Sequence, residues 1–173
     1  MADTFCISDL HLGDRGPRDN FAVGGREDRL FRFLDHVEHE GGRLLILGDL
    51  FEWWQCGIRR TLVAYANLLQ RLTDIDAAWI LGNHDAAGLV VDLDLYAAAR
   101  LQVRGPFVET IGGRKWLFCH GHEGDPFCNQ QNPGLGEISA ILSGLIEDRN
   151  KGPVEESGRA VEDAVVGHFE QAV

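Results

Sequence analysis

Along the first half of the chain, short apolar runs alternate with stretches whose apolar residues recur every three or four positions. Residues 3–8 and 43–47 (RLLIL) are apolar runs bounded by loop-forming residues, the pattern of strands buried on both faces. Between them Leu30, Phe33, Leu34 and Val37 fall on one face of a helix, and Gly41-Gly42 supplies its stop. Residues 58–72 repeat the helical spacing through Leu62, Tyr65, Leu69 and Leu72, and 77–81 (AAWIL) reads as a third buried strand. Strand, helix, strand, helix, strand in this order predicts an α/β fold with parallel strands and crossover helices.

After residue 100 the texture changes. PFVETIGGRKWLFCH predicts two strands joined at Gly112-Gly113. From about Leu135 the pattern is helical again, with Ile138, Ile141, Leu142, Leu145 and Ile146 on one face. At 159–173, Val161, Val165, Val166 and Phe169 also stand at helical spacing, although Gly167 weakens such a helix by about 1 kcal/mol. The short run Ala164-Val165-Val166 keeps a strand as the alternative. Neither an internal repeat nor a composition break interrupts the 173 residues, so a single domain over 1–173 is expected.

The formal charge of −11 argues against a basic groove and hence against a nucleic-acid partner. It leaves room for an anionic substrate if divalent metals supply local positive charge. The N-terminal MADTFCISDLHLG lacks the basic start of a signal peptide, and apolar runs stay well short of the roughly 18 residues that span a bilayer. Four cysteines without a secretory signal (Cys6, Cys56, Cys119 and Cys128) read as reduced thiols, with Cys6 and Cys56 as small buried apolar groups. A cytoplasmic protein of undetermined oligomeric state is the expectation.

Polar clusters stand at the ends of the three predicted strands: ISDLHLGD after the first, GDLFE after the second, GNHD after the third. CHGH follows the hairpin's second strand. Ligand sites of open α/β sheets lie beyond the carboxyl ends of strands, so these clusters should converge. Taken singly, an Asp-x-His pair or a Gly-Asp turn is common without function. Together they assemble carboxylates, imidazoles and a side-chain amide, a set suited to Mn, Fe, Zn or Mg. A carboxylate such as Asp49 can bridge two ions, and two ions can clamp a phosphoryl group.

These residues resemble the calcineurin-like metallophosphoesterase family, whose pattern is D-x-H, GD-x-x-[DE], GNH-[DE], a later His, then GH-x-H. Four of the five blocks stand in order over roughly residues 5–122. The resemblance implies an αββα sandwich of two mixed β-sheets flanked by helices. By position, Asp9 and His11 would hold one metal, Asp49 would bridge, and Asn83 and His120 would hold the second. His84 would stabilise the transition state or protonate the leaving oxygen, with Glu52 as its orienting carboxylate; Asp85 reads as structural. The implied cofactors are two divalent ions, Mn foremost, with Fe, Zn or Mg as alternatives. The implied activity is hydrolysis of phosphate mono- or diesters, or pyrophosphate bonds, by in-line attack of a metal-bound hydroxide on a small phosphorylated substrate. GDLFE followed by Trp is similar to a branch acting on a lipid-linked pyrophosphate, whereas GNHD and HGHE are closer to general members.

The closing GH-x-H block is absent in its usual form. Gly167-His168-Phe169-Glu170 is the later candidate, with His168 as a ligand and Glu170 in place of the final imidazole. The helical reading of 159–173 instead turns His168 away, and the chain then stops before the block, as a C-terminally truncated member would. His122 is a further candidate, as a ligand or as a supporting group around the metals. Cys119, His122 and Cys128 form a rival zinc set whose spacing lacks a paired C-x-x-C. Arg15 and Arg18 could contact a phosphate. Trp53 and Trp54 suit packing, with substrate stacking by Trp53 as the alternative. His36 and His39 read as solvated. The rival to an enzyme is a non-catalytic or degenerate metal-binding scaffold of the same fold. The presence of His84 favours the enzyme and the missing block favours the scaffold.

Overall fold

Four parallel strands, β1 (Thr4–Ile7), β2 (Arg43–Leu47), β3 (Ala78–Ile80) and β4 (Gln102–Arg104), pair in the order β1-β2-β3-β4. The computed structural model describes residues 2–85 and 101–125, together with Ile138, which is helical and exposed. The expected helical face beyond Ile138, the 159–173 segment with His168 and Glu170, and Cys128 lie outside the described residues. A second sheet is the antiparallel hairpin of β5 (Phe107–Ile111) and β6 (Arg114–Phe118), turning at Gly112-Gly113 as the sequence predicts.

Residues of β2 and β3 alternate between two buried faces. Leu44, Ile46 and Trp79 belong to one core with Leu30, Leu34 and Val37 of α1 (Arg26–His39) and Leu68, Leu69 and Leu72 of α3 (Ala66–Asp74). Leu45, Ala78 and Ile80 face the other way and pack with Phe118 of the hairpin, joined by Phe107 and Ile111. Burial on both faces explains why β2 and β3 read as uninterrupted apolar runs. Among the described residues the layer order is therefore helix, sheet, sheet. Among the described residues the larger sheet is parallel throughout and the smaller antiparallel, so neither is itself mixed.

α1 ends as its glycines predict. Gly41 takes a left-handed φ of 60°, its N–H donates to Glu38 O and that of Gly42 to Val37 O, closing the last turn. Three details depart from expectation. The helix expected over 58–72 breaks at Tyr65 (φ −115°, ψ 23°) into α2 (Ile58–Ala64) and α3, and the Tyr65 hydroxyl donates to buried Asp19 at 2.6 Å. β4 carries an exposed QVR with a single apolar residue, so no apolar run announces it. Cys6 is exposed, not buried: among the described residues β1 is a sheet edge, and the hairpin residues pack on Leu45, Ala78 and Ile80 beyond it.

Candidate metal centre

The segments leaving β1 and β2 continue side by side past the strand ends. Asp9 N donates to Gly48 O (3.1 Å), His11 N to Asp49 O (3.0 Å), Leu12 N to Leu50 O (2.9 Å), and Glu52 N back to Leu12 O (3.0 Å). Asp9, His11 and Asp49 all adopt left-handed φ values, 58°, 47° and 51°. Each non-glycine residue held there costs on the order of 1–3 kcal/mol, strain characteristic of functional sites. The result aims three side chains at one point. His11 Nε2 lies 3.9 Å from Asp9 Oδ1 and 3.7 Å from Asp49 Oδ2.

Asp49 is nearly fully buried and sits between two imidazoles. Its Oδ2 is also 3.2 Å from His120 Nε2, and its Oδ1 accepts the backbone N–H of His84 at 2.9 Å. Burial alone would raise its pKa, but the hydrogen bond from His120 and the neighbouring His84 pull it below the usual carboxylate value. His120 Nε2 is 3.1 Å from Asn83 Oδ1, and the hydrogen bond with Asp49 raises the imidazole to about 9. This approach requires glycine at 48, where φ is 91° and any Cβ would run into the His120 ring.

Glu52 does more than orient His84. Its carboxylate meets His84 Nδ1 at 2.9 Å and His11 Nδ1 at 3.0 Å, so it links two candidate groups at once. Burial opposes its charge, yet the hydrogen bonds from the two histidines bring it down to about 2. For His11, burial lowers the imidazole but the Glu52 hydrogen bond and the charges of Asp49 and Asp9 outweigh it, and the net shift is upward. The His84 ring lies face to face with Trp54, centroids 3.8 Å apart at 23°, and meets His11 edge-on at 4.7 Å. Asp85 is fully buried and accepts from Phe51 N (2.8 Å), Gly82 N (2.8 Å) and Trp79 Nε1 (3.1 Å). Burial keeps its carboxyl up at about 6, as befits a group that fixes the turn after β3.

The donor set fits divalent ions. Asp9, His11 and Asp49 offer ligand atoms within 4.8 Å of one another, while Asn83 Oδ1 and His120 Nε2 flank the other side of Asp49. His11 and His120 each give Nδ1 to an acceptor, Glu52 and Leu47 O, which leaves Nε2 toward the centre. An outward hydrogen bond of this kind sets the tautomer of a metal-binding histidine.

The remaining candidates fall elsewhere. His122, in a short 3₁₀ turn (His122–Gly124), has its ring 5.3 Å from that of His120, and its buried Nδ1 lacks a hydrogen-bond partner among the described residues. Burial lowers its pKa. Trp53 packs into the core: it stacks on Phe51 at 4.7 Å and meets Trp79 edge-on. Arg15 is paired with Glu27 at 2.8 Å, bonded to Ala64 O and lies over the Tyr65 ring. Arg18 is half-buried in the same loop. The contact of Trp54 with His84 and the bond from Glu52 to His11 were not legible in the sequence, since no spacing rule relates residues 30 or 41 positions apart.

The sequence model of the calcineurin-like phosphoesterase family matches residues 4–156. The chain is similar to a UDP-2,3-diacylglucosamine hydrolase of Porphyromonas gingivalis (strain ATCC BAA-308 / W83), 29% identical over 124 residues. Those residues cover 69% of this chain and 45% of the relative, so the match spans less than half of the relative's length.

Proposed function

Because the chain belongs to the calcineurin-like phosphoesterase family, we propose that it hydrolyses phosphate mono- or diesters, or pyrophosphate bonds, with two divalent ions. The observation that carries this reading is Asp49, whose Oδ2 faces His11 Nε2 on one side and His120 Nε2 on the other. In the proposed assignment Asp9 and His11 hold one ion, Asn83 and His120 the other, and Asp49 both. Such ions, when bound, draw charge from phosphoryl oxygens and lower the pKa of water. Their native identity is proposed to be Mn, since carboxylate, amide and imidazole donors make a hard-to-borderline set.

The chain's own groups divide the remaining work. Glu52 keeps Nδ1 of both His11 and His84 occupied, so His84 turns Nε2 outward. That nitrogen is proposed to stabilise or protonate the leaving oxygen. The similarity to a relative named for UDP-2,3-diacylglucosamine makes a nucleotide-diphosphate sugar the first pyrophosphate compound to assay. The net charge of −11 favours a small substrate over nucleic acid.

The test is turnover by protein stripped with a chelator, then supplied with Mn²⁺, on p-nitrophenyl phosphate, bis(p-nitrophenyl) phosphate and a UDP-sugar. Activity on at least one, absent before Mn²⁺ and present after it, is the expected result. Turnover that persists in a verified metal-free preparation rules the mechanism out, and inertness toward all three with metal bound favours a scaffold.

A further inference from the structure

His84 is held on three sides. Its backbone N–H is held by Asp49 Oδ1 at 2.9 Å, its Nδ1 by Glu52 at 2.9 Å, and His11 meets its edge at 4.7 Å. These contacts fix where the ring is, but a hydrogen bond at one nitrogen still allows the ring to rock about that bond. The face is set by Trp54, whose indole lies nearly parallel to the imidazole at 3.8 Å and is itself buried. Trp54 is thereby distinct from its neighbour Trp53, which packs into the core against Phe51 and Trp79.

We propose that Trp54 is a positioning residue for His84: its flat face fixes the imidazole plane so that Nε2 meets the oxygen that leaves phosphorus. The inference rests on the phosphoesterase reading above. In the step concerned, the water oxygen forms its bond to phosphorus and gives a proton to solvent. The bond to the leaving oxygen breaks, its electron pair stays on that oxygen, and the oxygen takes the proton from His84 Nε2. A leaving group that is stable as an anion hardly needs that proton; a poor one needs it. Misplacing the donor therefore costs rate only where the leaving group is poor, and a displacement of about 1 Å can cost on the order of 100-fold.

The experiment compares Trp54→Leu, Trp54→Phe and His84→Ala with wild type, on p-nitrophenyl phosphate and on phenyl phosphate, whose phenolate is the poorer leaving group. Leucine keeps apolar bulk without a flat face; phenylalanine keeps the face. The expected result is a roughly 10- to 100-fold fall in kcat for Trp54→Leu on phenyl phosphate, and a much smaller fall on p-nitrophenyl phosphate. KM and bound metal should stay near wild type, and Trp54→Phe should recover most of the lost rate. Equal losses on both substrates, or leucine and phenylalanine behaving alike, would mean Trp54 only fills space. His84→Ala separates the two levels of inference. If it too ignores the leaving group, the proton-donor role of His84 fails; if it discriminates and Trp54→Leu does not, the assignment of Trp54 alone fails.

Discussion

His120 Nδ1 donates to the Leu47 carbonyl oxygen at 2.8 Å, tying the segment after β6 to the end of β2. The bond keeps a proton on Nδ1 and turns Nε2 toward Asp49, whose carboxylate holds a second proton on Nε2 that a metal would have to displace.

That displacement has a pH signature. In the metal-free protein His120 is raised from 6.5 to about 9, chiefly by its hydrogen bond with Asp49. A group whose folded pKa is raised contributes stability that is complete below its ordinary value and is lost as pH rises through the folded value. The difference in Tm between metal-free wild type and His120→Asn should therefore be largest below pH 6.5 and shrink through about pH 9. Mn²⁺ affinity should move the opposite way and rise with pH over that span, since binding requires the neutral ring. Tm scans of both proteins across pH 6–10, with calorimetric titration of Mn²⁺, measure both; a Tm difference that grows with pH would contradict the assignment.

Asp49→Ala and His84→Ala should fail differently. Loss of the shared carboxylate should remove bound metal and nearly all activity. Loss of His84 should retain metal while kcat drops by roughly 10²–10⁴. Metal analysis and kcat on each purified variant decide it, and an Asp49→Ala protein that keeps two ions would refute the bridging role.

Glu52→Gln probes a carboxylate with two dependants. A neutral amide cannot offer both imidazole N–H groups the acceptors that Glu52 gives His11 and His84. Metal affinity and kcat should each fall by about 10- to 100-fold. A drop in kcat with Mn²⁺ affinity intact would show that the His11 contact does not support a ligand.

Tyr65→Phe separates scaffold from site. The hydroxyl donates to the buried Asp19 carboxylate at 2.6 Å, and Asp19 also accepts from Arg15 N and Ala22 N. Removing a hydrogen bond to a charged group should cost about 2 kcal/mol by urea unfolding. Metal stoichiometry should not change; if it does, the 14–25 loop reaches the centre more directly than its contacts indicate.

The sequence carried the strands that lead into the candidate site because β2 and β3 are buried on both faces and must be apolar throughout. It carried the convergence of the candidate clusters because each follows a strand directly. β4 was silent, since an exposed QVR has no apolar pattern to read. The break at Tyr65 was hidden in an unbroken apolar spacing, and the partner of its hydroxyl, Asp19, lies 46 residues away. Trp53 and Trp54 are neighbours of one residue type, yet one enters the core and the other covers His84; composition cannot divide them.

The backbone pairing that runs on past β1 and β2 has a consequence for folding. Asp9, Asp49, Asn83 and His120 come from four separated stretches, and main-chain bonds hold Asp9 and His11 beside 48 and 49. A slip of one residue between β1 and β2 would reverse every side chain's face and scatter the donors. A metal ion held by these donors would thus bind only the correctly registered chain and would stabilise that state by mass action, about 2.7 kcal/mol when free metal exceeds Kd 100-fold. The cofactor proposed for catalysis would then also act as a proofreader of strand register, rejecting misaligned chains because they have nothing to bind it with.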